Sequence, residues 1–395
     1  MMDQKQAKRL HILFLPRWYP NRYDPMFGLF VQRHAEAVAL KHSVSVVYVT
    51  ESEAVTQKKY SIIQTEDKGV FNTTVYYQKS LLKPSFIAKV INLRRFVKAN
   101  MAGIDLAKKK FGPFQLIHVH ILTRLGLIAF WYKLKYSIPY IITEHWSRYL
   151  PLTNGFNGFW RKKATELVVR HASAITTVTK NLAEAMKNHG LNNPDYVVLP
   201  NVVDVKLFKI HSSKMNRPIR MVHISCFEDR SKNISGIIKA LRLLSKERQD
   251  FECVFVGDGI DYHAIKNSSS DLESTGLVRF TGLLQDEKLV EVLSSSDFLV
   301  LFSNYENMPV VILEAFACGL PVVATRVGGI PEMVNEGKGL LVDTANEFQL
   351  VDALKKMLNS FKEYNAEQLR ESVRSTNSYE AVSGFLNDIY LKSIK

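Results

Sequence analysis

Two carboxylates, Glu306 and Glu314, stand eight positions apart in the stretch 297–332, DFLVLFSNYENMPVVILEAFACGLPVVATRVGGIPE. A β-branched apolar run ends at Phe302, a polar turn carries Glu306 and Asn307, and Pro309 opens a helix at a position where proline is favoured. Unpaired amides at such a helix start attract anionic and hydroxyl-rich ligands. Eight positions are about two helical turns, so both carboxylates can face one cleft and accept hydroxyl donors. Glu314 sits between Leu313, Ala315 and Phe316, which leaves two readings for it: a placed hydrogen-bond acceptor or a residue of a solvated face.

Further candidates lie upstream. HISCFEDRSKNISGIIKAL reads as a strand, a loop with the cations Arg230 and Lys232, and a helix from Asn233 or Ile234. A lysine beside a helix N-terminus is suited to a diphosphate. Gly257-Asp258-Gly259 follows a buried strand and is a turn signal. In the first half, Gly28 permits close approach of backbone to a phosphate or sugar, with Arg17 and Tyr19 in the same loop. Trp18 and Tyr19 also read as loop anchors. His118 and His120 end a strand and are expected on opposite faces, an arrangement that argues against a shared metal. No other ligand cluster has suitable spacing. Thr143-Glu144-His145-Trp146 leaves the next strand, and each histidine also has a structural reading.

Strands positioning these residues are expected at 11–15, 44–50, 116–119, 140–143, 174–178, 196–199, 219–224, 251–256, 278–281, 298–302 and 322–325. They are apolar on both faces, as parallel strands covered by helices are. Helices are expected at 29–40, 161–171, 234–245, 287–294 and 310–318. The fold class is α/β, with two doubly wound units whose ligands bind at the carboxyl ends of the strands. The polar stretch 204–218 separates a domain 1–205 from a domain 206–378, and the last segment, 379–395, is a helix with the option of packing on the first domain.

Glu306 and Glu314, with Gly319-Leu320-Pro321 and Gly328-Gly329-Ile330-Pro331-Glu332, resemble the C-terminal signature of retaining glycosyltransferases of family 4, which have the GT-B fold of two Rossmann-like domains. The resemblance implies that Glu306, with the backbone of Asn307, Met308 and Pro309, holds donor-sugar hydroxyls. It implies that Glu314 takes the nucleotide ribose and Lys232 the pyrophosphate. The family's arginine before that lysine is Cys226 here, and Arg230 is the substitute cation. Gly257 would lie near the donor phosphates and the segment around Phe280 at the nucleobase. His120 resembles the residue near the reacting sugar. Arg17, Tyr19, Glu144 and His145 would border the acceptor, and Gly28 the donor. The 200–204 segment resembles the family hinge, with Val202 in place of a glycine. The resemblance further implies retention at the anomeric carbon, no metal or other cofactor, and a nucleotide-sugar as substrate.

The composition, 395 residues with 46% hydrophobic and 23% charged, belongs to a packed globular protein of two domains. Three cysteines, all in apolar surroundings, exclude a disulfide scaffold and suggest a reducing compartment. No run reaches the ~18 apolar residues of a membrane span, and the N-terminus does not read as a signal peptide. Residues 1–200 carry 29 Lys and Arg against 12 Asp and Glu, the remainder 23 against 26. The basic half suggests an anionic partner. In the stretch 80–110, cations interleave with Phe86, Ile87, Val90, Ile91 and Leu93, which fits either a helix on anionic lipid or an amphipathic helix packed on the sheet. The expectation is a glycosyltransferase at the cytoplasmic membrane face, acting on a lipid-linked or glycan acceptor in cell-envelope glycan synthesis. The alternatives are a non-hydrolysing sugar-nucleotide epimerase and a catalytically silent nucleotide-sugar-binding partner. No nucleic-acid motif is present.

Overall fold

A computed structural model describes residues 9–52, 60–122, 124–153, 155–210 and 217–394. The first eight residues, and 211–216 within the expected boundary stretch, lie outside these. Two compact units divide the chain: Met1–Val178, Ala183–Val202 and Tyr379–Lys395 form the first, and Thr179–Leu182 with Val203–Ser378 the second.

The first unit is built on one sheet. Its strands are β1 (His11–Pro16), β2 (Ser43–Ser52), β3 (Tyr60–Asp67), β4 (Val70–Gln78), β5 (Leu116–His120), β6 (Tyr140–Glu144), β7 (Ala174–Thr177) and β8 (Tyr196–Val198), in the order β3-β4-β2-β1-β5-β6-β7-β8. β1, β5 and β6 are buried along their whole length, which is why they read as continuous apolar runs. The β3–β4 pair departs from the expected all-parallel sheet. It is an antiparallel hairpin at the edge, with Tyr60 opposite Tyr77 and Asp67 opposite Val70. β3 faces solvent nearly throughout, so its ladder of backbone bonds holds it without a buried side-chain pattern.

The stretch 80–110 resolves into the helix Ser85–Phe111, whose two halves differ in burial. Toward the C-terminus, Ala99, Gly103, Ile104 and Ala107 are buried, and a side chain at Gly103 would meet Val47 of β2 at 2.5 Å. Toward the N-terminus, Phe86, Ile87, Val90 and Leu93 are exposed. The C-terminal helix Tyr379–Ile394 belongs to this first unit. Tyr390 is fully buried, and the Tyr379 hydroxyl donates to the buried Glu36 carboxylate at 2.6 Å.

The second unit contains β9 (Ile219–Ile224), β10 (Phe251–Val256), β11 (Val278–Gly282), β12 (Phe298–Leu301), β13 (Val322–Thr325) and β14 (Gly339–Val342), all parallel, in the order β11-β10-β9-β12-β13-β14. Two apolar clusters, one on each face, fill the space between sheet and helices. Arg370 fixes the return of the chain: its guanidinium donates to the carbonyls of Val205, Phe208 and Ala317, each at 2.6 Å.

Candidate active site

In the second unit the strand order reverses between β9 and β12, so the loops after these strands diverge and leave a crevice at their carboxyl ends. Lys232, at the end of a one-turn helix after β9, places Nζ 2.5 Å from Glu306 Oε1 in the loop after β12. Ser303 Oγ donates to the same oxygen at 2.9 Å. The two loops are also tied by Asn304, whose backbone N–H donates to Ser231 O and whose side chain donates to Arg230 O. Lys232 and Glu306 retain 19% and 9% side-chain exposure. Burial works against the ammonium, but Glu306 and Cys226 outweigh it and hold Lys232 above its ordinary value. The result is a charged pair in a shielded crevice, able to part and bind a diphosphate with one member and hydroxyls with the other.

The motif glycines brace this turn. At Gly328, with φ of 52°, a Cβ would stand 1.9 Å from the carbonyl oxygen of Glu306, and Gly329 N–H donates to Asn307 O at 2.9 Å. Asn307 Oδ1 accepts from Thr179 Oγ1, Met308 packs against the apolar cluster, and Pro309 is the residue before the helix Val310–Ala317 rather than its first. Glu314 is 5% exposed on that helix, which excludes the solvated-face reading. Gly257 is required for a reason internal to the chain: with φ of 137°, its Cβ would lie 1.9 Å from Ser225 O, in the loop after β9. Phe280 stacks on Phe255 with ring centroids 5.1 Å apart. Arg230 and Cys226 are both exposed.

The first unit has its own reversal, where β1 lies between β2 and β5. His118 and His120 do not point to opposite faces, as expected. Side chains alternate with a period of two, so residues two apart share a face, and the rings lie 4.0 Å apart. His118 is structural, bonded to the Tyr390 hydroxyl at 2.8 Å and to Thr143 Oγ1 at 2.6 Å. A second correction follows from the fold. His34, His120 and His145 present one ligand atom each within 4.8 Å of one another, a cluster that spacing did not reveal because it joins a helix to two strand ends. His120 Nδ1 is 3.2 Å from His145 Nε2, while His34 sets its two ring nitrogens against the carbonyls of Phe30 and Pro200. His120 Nε2 is buried without a hydrogen-bond partner. Burial holds His34, His118, His120 and His145 below the usual histidine range, so the cluster is neutral near pH 7.

The other expected residues around this reversal divide by role. Tyr19 is in the core, not on an open acceptor surface: it is 4% exposed and donates to Asn72 Oδ1 at 2.7 Å. Glu144 is fully buried and accepts from the backbone N–H groups of Leu122, His145 and Trp146; burial nonetheless pushes it up to about 7. Gly28, with φ of 73°, is needed because a Cβ would lie 2.4 Å from the Trp18 backbone, so its freedom serves the loop itself. Arg17 is exposed, with its backbone N–H bonded to His120 O at 3.0 Å.

Comparison with known proteins places this geometry. Residues 208–375 match the model of glycosyl transferases group 1, and residues 28–207 that of glycosyltransferase family 4. The N-acetyl-alpha-D-glucosaminyl L-malate synthase of Bacillus anthracis is 27% identical over 56% of this chain and 60% of its own length. An uncharacterized glycosyltransferase of Methanocaldococcus jannaschii is 26% identical over 75% of this chain and 80% of its own. Among solved structures, the sucrose-phosphate synthase of Thermosynechococcus elongatus aligns with a TM-score of 0.73 at 18% identity, over 97% of this chain and 99% of that one. Anabaena HepE in complex with UDP aligns with a TM-score of 0.70 at 17% identity, over 96% and 99%. With one family model on each unit and the fold matched nearly end to end, the chain belongs to the group 1, family 4 glycosyltransferases of GT-B fold.

Proposed function

We propose that the protein is a retaining glycosyltransferase that moves a sugar from a nucleotide-sugar to a lipid-linked or glycan acceptor at the cytoplasmic face of a membrane, in cell-envelope glycan synthesis. The observation that carries this is the shielded Lys232–Glu306 pair at the strand-order reversal of the second unit. On donor binding Lys232 turns to the diphosphate, Glu306 accepts hydroxyls of the sugar, and Glu314 those of the ribose. The bond from the anomeric carbon to the diphosphate oxygen breaks, and Lys232 stabilises the charge on the departing group without a metal. The acceptor hydroxyl attacks from the face the diphosphate leaves, and its proton passes to the departing oxygen. The neutral His120, with one unpartnered nitrogen, is suited to a sugar hydroxyl.

Membrane association is supported by exposed apolar side chains among cations. Leu81, Leu82, Phe86 and Val90 lie beside Lys83, Lys89 and Arg94, and Phe159 and Trp160 precede Arg161, Lys162 and Lys163. No helix among the described residues is long and apolar enough to cross a membrane. The test is a panel of nucleotide-sugars incubated with protein, EDTA and a membrane-lipid extract, reading free nucleoside diphosphate and labelled lipid. Release of diphosphate with label entering lipid supports the reading. A donor changed without acceptor, its nucleotide still attached, makes the protein an epimerase, and binding without consumption makes it a silent partner.

A further inference from the structure

Three arginines stand at the carboxyl ends of three adjacent parallel strands in the first unit. Arg17 follows β1, Arg124 begins the helix Arg124–Tyr136 after β5, and Arg148 lies in the single turn Ser147–Tyr149 after β6. Arg17 and Arg148 share one platform: their Cζ atoms lie 5.1 Å and 3.5 Å from the centroid of the Trp146 ring. Trp18 closes on the same indole, with centroids 5.2 Å apart. None of the three forms an ion pair among the described residues, and Arg148 Nε is buried with no hydrogen-bond partner. The carboxylate within their field, Glu144, is buried and already accepts three backbone N–H groups. Arg17 keeps solvent exposure, and its partial burial first, then the charges of Arg148 and Arg124, hold it below its usual range. Like charges gathered at a strand-end crevice without a counter-ion form a site completed by an anion, and stacked guanidiniums present rigid planar forks of the kind that grip phosphate oxygens.

We infer that Arg17, Arg124 and Arg148 form a phosphate-binding site for the acceptor, so that the acceptor is a phosphate or diphosphate ester. The inference rests on the reading of this chain as a transferase, with the donor diphosphate assigned to Lys232 in the other unit.

The experiment is calorimetric titration of the full chain with inorganic pyrophosphate, with Trp emission as a second signal. The chains compared are the natural one, Arg17→Gln, Arg148→Gln and Lys232→Gln, each checked for fold by circular dichroism. Arg17→Gln and Arg148→Gln should each weaken pyrophosphate binding roughly tenfold or more, since each removes a charged hydrogen bond. Lys232→Gln should leave that component in place. Binding unchanged in both arginine variants, or lost only in Lys232→Gln, overturns the site. Glycerol 3-phosphate and neutral phosphatidylcholine vesicles carrying a polyprenyl diphosphate then distinguish the source. Arginine-dependent binding of the first supports a soluble phosphorylated acceptor, of the second a lipid-linked one. Because no turnover is needed, a failed transfer assay leaves this result standing, and a positive transfer assay does not substitute for it.

Discussion

Acid should unfold the first unit well before the second. His34, His118, His120 and His145 are all buried and held neutral in the first unit, where burial also lowers His11 and His42, whereas the second has His223, lowered to about 4 by burial. The unfolded chain takes up these protons near pH 6.5 and the folded chain does not. The penalty is therefore absent well above pH 6.5 and grows as the pH falls toward the folded values. Between pH 7.5 and 5.5 a histidine that stays neutral in the fold costs about 1 kcal/mol, so His118, His120 and His145, the three held furthest down, together cost on the order of 4 kcal/mol. Glu144 has the opposite sign: raised to about 7, it destabilises the fold when ionised. Acidification over the same range relieves about 2 kcal/mol of that strain. The net loss is about 2 kcal/mol for the first unit, to which His11, His34 and His42 add, against about 1 kcal/mol for the second, a large share of a typical 5–15 kcal/mol stability. The assay is built into the sequence, because all four tryptophans, Trp18, Trp131, Trp146 and Trp160, lie in the first unit. Urea unfolding followed by tryptophan emission at pH 7.5 and 5.5 reads that unit alone, and His145→Gln should remove about 1 kcal/mol from the drop. An emission-detected unfolding free energy that stays flat or rises on acidification would refute the reasoning.

Three other outcomes are expected. Lys232→Met leaves the buried Glu306 carboxylate without its cation and should cost about 3–5 kcal/mol, while adding Glu306→Gln should recover at least about 2 kcal/mol of it; calorimetric unfolding closes this cycle. Gly328→Ala drives a Cβ against the Glu306 carbonyl and should raise the donor KM and lower Tm by several degrees, whereas Gly190→Ala, which meets nothing within 4 Å, should cost only the backbone penalty of about 1–2 kcal/mol. Phe86→Ser and Trp160→Ser should each reduce sedimentation with phosphatidylglycerol vesicles and have no effect with phosphatidylcholine. High salt should release the natural chain, because each surface cation contributes about 1 kcal/mol, and unaltered retention in both variants would remove the membrane reading.

Much of the scaffold was legible because parallel strands buried on both faces are apolar nearly throughout, as β12 (Phe298–Leu301) is at every position. The edge strand β3 was not, since a strand held by its backbone ladder at a sheet margin carries no buried pattern; β14, at the margin of the other sheet, opens on Gly339 and is only half buried, so its pattern is weak too. Glu306, Asn307 and Glu314 were found because they lie on one strand–turn–helix passage, with the Gly328-Gly329 pair in the turn after the next strand, β13, and local order is what a linear pattern encodes. His34 escaped because nothing within its own helix marks it: its neighbours His120 and His145 come from other elements more than 80 residues away.

By itself the sequence determined the two doubly wound units, the Glu306–Glu314 passage and the basic character of the first half, all of which depend on residue type and short-range spacing. Tertiary structure decided the rest. It paired Lys232 with Glu306, committed Tyr19 and Glu144 to internal hydrogen bonds, stacked Arg17 and Arg148 on Trp146, and split the helix Ser85–Phe111 into a packed half and an exposed one. Each of these depends on which distant strand ends the sheet order brings together, and on what remains in water once they meet. Hydrogen bonding and desolvation act on distances in space, and the spacing of residues along a chain fixes those distances only within one element.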